Sequence, residues 1–318
     1  MEKVIFDTNA YRYLAGDKTD EQLSKTIERV KASEKKNGIE SLISPIVVKE
    51  LLAHIADKKD PVHDKCMRAN KALYMHCTDE NGNYRMIASP ELLISKSFYD
   101  KTIPSKVDTN QALAQISFHL ATNPTPYAFT KFQKNLNLNR DHVLETENQF
   151  ALAMRQFVQT VDPSAKGWRI FENDEKLRKN ALSQIRSEKI SLEIAMGYLF
   201  LVHLLLVSSG QIPQTTQDEL FKELSDKAKT FITVYPEPIA LYKFVMENMV
   251  NSEFNLMEKN RSNFVWDIHL MFNVGGHSIK GEKVNFVTSD EAIIRTAIKE
   301  NAKYSIFTFD EYMAYLKA

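Results

Sequence analysis

Four carboxylates in the chain, Asp7, Glu50, Asp267 and Asp290, occupy positions that could do chemistry together. Asp7 directly follows the apolar run Val4-Ile5-Phe6, and Asp290 follows a second apolar run, 284–288, after only Ser289. In open parallel sheets, sites form outside the carboxyl ends of the strands, so both acids would project into such a crevice. Glu50 falls in the first turn or so of a helical stretch, and Asp267 lies mid-helix beside Phe264 and Ile268. Carboxylates brought together raise one another's pKa unless a cation neutralises them. Mg²⁺ or Mn²⁺ suits that role, because hard cations take a few carboxylates plus waters and phosphate oxygens. A bound cation generates hydroxide and neutralises charge growing on a phosphate, which makes phosphodiester hydrolysis the natural chemistry. The chain contains no Walker loop, HExxH, GxSxG or CxxC pair to suggest another route.

The elements that must hold these acids alternate between two periodicities. Residues 3–6 read as a buried strand, and Tyr11, Leu14, Leu23, Ile27 and Val30 follow at helical spacing around a break at Gly16-Asp17. Residues 40–44 read as a second strand, and Pro45 suits the first turn of a helix. Val47, Val48, Leu51, Leu52 and Ile55 then mark one helical face. Near the other end, Phe264, Ile268, Met271 and Phe272 predict a helix ending near Gly275-Gly276. Residues 284–288 predict a third strand, Ile293, Ile294, Ala297 and Ile298 a helix, and 304–308 a fourth strand. Asp310 is expected as the N-cap of a helix over 311–316. Strands alternating with helices imply βαβ units and a largely parallel sheet.

The middle of the chain shows helical periodicity with little strand-like alternation, for example at Leu177, Ala181 and Ile185, then Ile194, Tyr198 and Leu201. The expected organisation is therefore an α/β domain built from both chain ends, 1–57 and 261–318, interrupted by an all-helical insertion over 58–260. With 318 residues, 43% hydrophobic and 26% charged, the chain can bury a sizeable core. Its 41 basic and 41 acidic residues cancel, which does not point to a strongly basic nucleic-acid binder. Cys66 and Cys77 cannot make a disulfide framework, and no secretory leader precedes residue 4, so a cytoplasmic protein is expected. The longest apolar stretch, 196–207, falls short of the roughly twenty residues of a membrane span and is read as a buried helix.

The same residues resemble the PIN-like family of metal-dependent nucleases. Val4-Ile5-Phe6-Asp7-Thr8-Asn9 resembles that family's opening strand and Asp-x-Asn motif. Ser44-Pro45-Ile46-Val47-Val48-Lys49-Glu50-Leu51 resembles its glutamate segment, Asp267 with Leu270 its third acid, and Thr288-Ser289-Asp290 its Thr/Ser-x-Asp motif. Ile306-Phe307-Thr308 resembles its last strand. The resemblance covers about the first 56 and last 58 residues, and the large helical insertion departs from compact members. It implies a five-stranded parallel sheet flanked by helices and an Mg²⁺- or Mn²⁺-dependent ribonuclease. Asp7, Asp267 and Asp290 would be metal ligands and Glu50 a ligand or base. Asn9, and Thr288 or Ser289, would support the cluster. Independently of the resemblance, Arg12, one turn after Asn9, is the basic residue best placed to touch a phosphate. RNA is implied over DNA as substrate. A homodimer is compatible with the family habit, and an inhibitory partner protein stays open.

Plainer readings stand beside these. Asp7 could end a strand at a turn, Glu50 could complement a helix dipole, and Asp290 could cap a helix. A structure-specific DNA nuclease and a non-catalytic PIN-like binding module are the rival functions, and an all-α protein with coincidental motifs is the remaining one. His63, Cys66, His76 and Cys77 invite a zinc site, but their spacing fits no common zinc module. His269 would point away from Asp267. The basic residues at 25, 29, 31, 35 and 36, and at 176, 178, 179, 186 and 189, read as solvated helix faces.

Overall fold

The computed structural model describes residues 2–161, 171, 174–252, 263–274, 284–299 and 306–317. The chain divides into two compact units. One comprises Met1–Leu93, Pro104–Val143 and Asn273–Ala318; the other comprises Ile94–Ile103 and Leu144–Phe272. The α/β unit thus takes in more of the chain than the two terminal segments. The stretches up to Leu93 and from Pro104 to Val143 belong to it.

In chain order the elements are β1 (Glu2–Phe6), α1 (Thr8–Ala15), α2 (Asp20–Lys36), β2 (Ile39–Ser41), α3 (Pro45–Ile55) and α4 (His63–Cys77). There follow α5 (Pro90–Tyr99), α6 (Pro104–Thr122), α7 (Pro126–Val161), α8 (Glu175–Arg186), α9 (Glu188–Ser208) and α10 (Gln217–Val234). The last are α11 (Pro236–Ser252), α12 (Phe264–Met271), β3 (Val284–Val287), α13 (Glu291–Lys299), β4 (Ile306–Phe307) and α14 (Phe309–Tyr315).

The four strands form one parallel sheet in the order β2-β1-β3-β4. Val4, Ile5, Phe6 and Val284, Phe286, Val287 are all buried, the continuous apolar pattern of strands covered on both faces. The sheet is wider than its four strands. Beyond β2, the Ile43 amide donates to the Arg85 carbonyl and the Ile87 amide donates to the Ile43 carbonyl, each at 2.9 Å. Residues 85–87 therefore run parallel beside the continuation of β2 as a fifth segment. Lys3, Glu40 and Arg85 tie the three neighbours together: Glu40 accepts from both Lys3 and Arg85. A tight turn, in which Asp79 accepts the Asn81 and Asn83 amides, precedes this segment.

Local sequence explains how the sheet is connected. Thr19 and Gln22 form a capping box at the start of α2, with Asp20 and Glu21 in its first turn and Lys35 and Lys36 in its last. Gly38, at φ +66°, makes the left-handed exit from that helix into β2 that other residues resist. Pro45 opens α3 as expected. At α14 the structure corrects the sequence reading. Thr308, not Asp310, is the N-cap, completing a capping box with Glu311; the signal was Thr-x-x-Glu. The helix expected to end near Gly275-Gly276 already ends at Met271, with Phe272 as its C-cap; the start of the last strand at Tyr304 lies outside the described residues.

Beneath the sheet lies a fully buried polar network. The Glu34 carboxylate accepts from His76 Nε2 at 2.9 Å and from the Tyr312 hydroxyl at 2.7 Å. The Tyr11 hydroxyl lies 3.1 Å from both His76 Nδ1 and Cys77 Sγ. Burial alone would lower the His76 pKa, but the Glu34 charge overrides it and raises the imidazole to about 10. His76 and Cys77 are thus committed to this network, which removes two donors from the zinc reading. Lys31 is likewise no solvated residue: its ammonium donates to the Met75 carbonyl at 3.0 Å and to the Thr78 carbonyl at the end of α4.

The second unit is helical throughout its described residues. An aromatic cluster centres on Phe231 of α10, stacked on Phe98 (5.5 Å between centroids) and Tyr198 of α9 (6.1 Å). Tyr235 and Tyr198 in turn pack on Phe272 at 5.2 and 5.1 Å. His269 joins this core through Tyr198 and Trp266. The apolar stretch at 196–207 lies in α9, but that helix is longer and less buried than expected. It runs 21 residues, with Ala195, Leu199, Val202 and Leu206 inward and Phe200, Leu201 and Leu204 exposed. By length and composition α9 could cross a membrane, with 28% of its most apolar window buried.

Candidate functional site

The sheet order places the strand ends that matter. From β1 the chain crosses to β2 and on to residues 85–87, all on one side; β3 and β4 lie on the other. The crevice between β1 and β3 is therefore the topological switch point, where ligands bind in open α/β sheets. Asp7 ends β1 and Asp290 lies three residues past β3, so both stand at this point. The Asp7 amide donates to the Val287 carbonyl at 3.0 Å, continuing the β1–β3 pairing to the edge of the crevice.

Asp7 is buried, at 4% exposure, and its carboxylate is held from two sides. One oxygen accepts the Ala10 amide, which caps α1, and Oδ2 accepts the Thr288 hydroxyl at 2.6 Å. Burial, the largest influence, lifts the Asp7 pKa from 3.8 to about 6. The negative charge of Asp290 pushes the same way, while Thr288, Ala10 and the Arg12 charge oppose it. Asp290 is half-buried, and its Oδ1 accepts the Ile293 amide at 2.9 Å, capping α13. Its own amide donates to the Thr288 hydroxyl at 3.0 Å, so Thr288 braces both acids; Ser289 is exposed.

Glu50 enters the same unit from α3. Its Oε2 accepts the hydroxyl of Thr8, the residue next to Asp7, at 2.7 Å. Thr8 is a partner of Glu50 that the sequence reading did not single out; the signal was its place inside the Asp-x-Asn motif. Arg12 sits one turn further along α1 and donates to Asn9 Oδ1 at 3.3 Å and to Cys66 Sγ at 3.2 Å, while its Nε is buried without a partner. Asn9 therefore steers Arg12 rather than Asp7. Burial pushes the Cys66 thiol up, Arg12 opposes this, and Asp60 and Glu50 reinforce it, so these groups share one neighbourhood.

Asp7, Glu50 and Asp290 belong to one unit; Asp267 belongs to the other, in the first turn of α12 and half-buried. Among the described residues, no three His, Cys, Asp or Glu side chains are grouped closely enough to form a metal cage. Neither the expected four-carboxylate cluster nor a structural zinc site is assembled among them. This leaves the other mode, in which Mg²⁺ keeps most of its waters and takes one or two carboxylates plus substrate phosphate. The Asp7–Asp290 pair, with one pKa already lifted by burial and mutual repulsion, suits that mode. No family model, curated protein or solved structure matches this chain.

Proposed function

We propose that the Asp7–Asp290 crevice is the active site of a metal-dependent nuclease of PIN-like type that hydrolyses RNA phosphodiester bonds. The observation that carries this reading is the pairing of two acids at the carboxyl ends of β1 and β3, on either side of the switch point. Asp7 and Asp290 would hold Mg²⁺ or Mn²⁺, which when bound supplies an activated water and neutralises charge on the phosphate. Thr288 fixes the Asp7 carboxylate, and Thr8 fixes Glu50, whose role is to accept the proton of the attacking water. Arg12, with a buried N–H unmatched, would bind a phosphate oxygen. Asp267 and Ser289 enter on the family resemblance alone, as do the preference for RNA over DNA and a homodimer.

A second reading, a non-catalytic module of the same fold, is favoured by one observation: both acids already serve the fold as helix caps. Mn²⁺ binding separates the two. Titrated by electron paramagnetic resonance, the wild type should bind Mn²⁺ in the millimolar range or tighter, and Asp7→Asn should lose it. Equal Mn²⁺ binding by both proteins would leave the capping role as the only role.

A further inference from the structure

Lys49 adjoins Glu50 but is turned about 100° around α3 from it, and faces a different set of groups. It is 3% exposed, and among the described residues its ammonium makes no hydrogen bond or ion pair. A cation so largely buried without a protein acceptor draws in water or an anion. Its charged neighbours are Glu91 of α5, Lys106 of α6 and His142 of α7. Glu91 is paired with Lys106 at 3.0 Å. Lys49 and Lys106 thus share the influence of Glu91, and burial together with both lysines lowers the pKa of the nearby His142.

Neutral donors and acceptors nearby are unmatched too. Asn139 of α7 donates to the Lys49 carbonyl at 2.8 Å, which leaves its Oδ1 buried without a partner. Asn110, one turn beyond Lys106 on α6 and 3% exposed, has both amide atoms buried and unmatched. Buried polar groups ordinarily find partners, so the unmatched atoms on α6 and α7, the helices that carry Lys106 and His142, call for a partner beyond the protein.

We propose that Lys49, together with the polar groups that α6 and α7 bring near it, binds a small phosphate-type oxyanion. Its oxygens would accept from the Lys49 ammonium and the Asn110 amide, with Lys106 and His142 at the rim. Its remaining O–H would donate to Asn139 Oδ1. A carboxylate, which only accepts, would leave that oxygen unmatched. The site is independent of the nuclease reading, since none of its residues belongs to the Asp7 crevice.

Isothermal titration of the full chain with inorganic phosphate, at constant ionic strength set by chloride, tests this. The wild type and Asp7→Asn should bind one phosphate alike. Lys49→Met should bind at least tenfold more weakly and Lys106→Gln severalfold more weakly, and the second variant serves should the first not fold. Competition by a 5′-phosphorylated dinucleotide as well as by phosphate would assign the anion to a nucleic-acid end; competition by phosphate alone would assign it to a free ion. No binding by the wild type, or unchanged binding by the folded lysine variants, would reduce the site to buried water. Loss in Asp7→Asn alone would move the anion to the other crevice, and either result overturns the proposal.

Discussion

Asp7 and Asp290 share one hydroxyl: Thr288 donates to Asp7 Oδ2 at 2.6 Å and accepts the Asp290 amide at 3.0 Å. Two acids from strands some 280 positions apart in the chain are thereby held at one sheet edge, with a neutral group absorbing part of their repulsion.

Thr288→Val keeps the buried shape and removes that hydroxyl. Thr288 is fully buried, so the loss should destabilise the protein by about 1–3 kcal/mol in urea denaturation at pH 7. The Asp7 pKa should rise further, because the Thr288 hydrogen bond lowers it. The acid limb of any activity profile should move to higher pH. A variant as stable as the wild type, with an unmoved profile, would show that Thr288 does not brace the pair.

Asp7 itself sets a pH dependence of stability. With a folded pKa of about 6 against 3.8, protonated Asp7 favours the folded state. That contribution is fully present below pH 3.8 and lost as pH rises through 6. Asp7→Asn should remove it. Without divalent cations the variant should gain on the wild type by on the order of 1–3 kcal/mol between pH 4 and pH 7. Denaturation in EDTA across that range checks the sign; a constant difference would contradict the buried, charge-strained carboxylate.

The Glu34–His76 pair sets the opposite limb. His76, raised to about 10, contributes stability that is full below pH 6.5 and lost as pH rises through 10. Glu34→Gln should cost about 3–5 kcal/mol at pH 7, since a buried imidazolium loses its counter-charge. The variant should also lose most of the alkaline decline. Thermal melts from pH 6 to 10 would show it.

Arg12→Met leaves the acids in place and removes the cation beside them. If Arg12 contacts a phosphate, binding to single-stranded RNA should weaken, and the slope of log K against log salt should fall by about one. An unchanged slope would confine Arg12 to its contacts with Asn9 and Cys66.

Much of this arrangement was legible because local signals and the fold agreed. The run Val4-Ile5-Phe6 ends at Asp7 because a parallel strand covered on both faces must stop where its crevice opens. Pro45 opens α3, and Asp290 follows β3, as expected. What escaped had no local signature. The parallel pairing of Ile43 with Met86 depends on a long crossover through α3 and α4, and residues 85–87 are too short to show alternation. The Glu34–His76 contact joins residues 42 positions apart, and Lys49 lies within an apolar helical stripe where its burial could not be read from charge. An acid before a helix is a good cap candidate, which favours Asp310, but Thr308 with Glu311 satisfies two amides where Asp310 would satisfy one.

The most direct test of the central claim is cleavage of a labelled single-stranded RNA at pH 7.5 by wild-type protein and by Asp7→Asn and Asp290→Asn. With Mg²⁺ or Mn²⁺ the wild type should yield products carrying 5′-phosphates. EDTA should abolish the reaction, and each folded variant should lose at least a hundredfold in rate. Cleavage that persists undiminished in both variants, or that ignores EDTA, would contradict the assignment of the crevice.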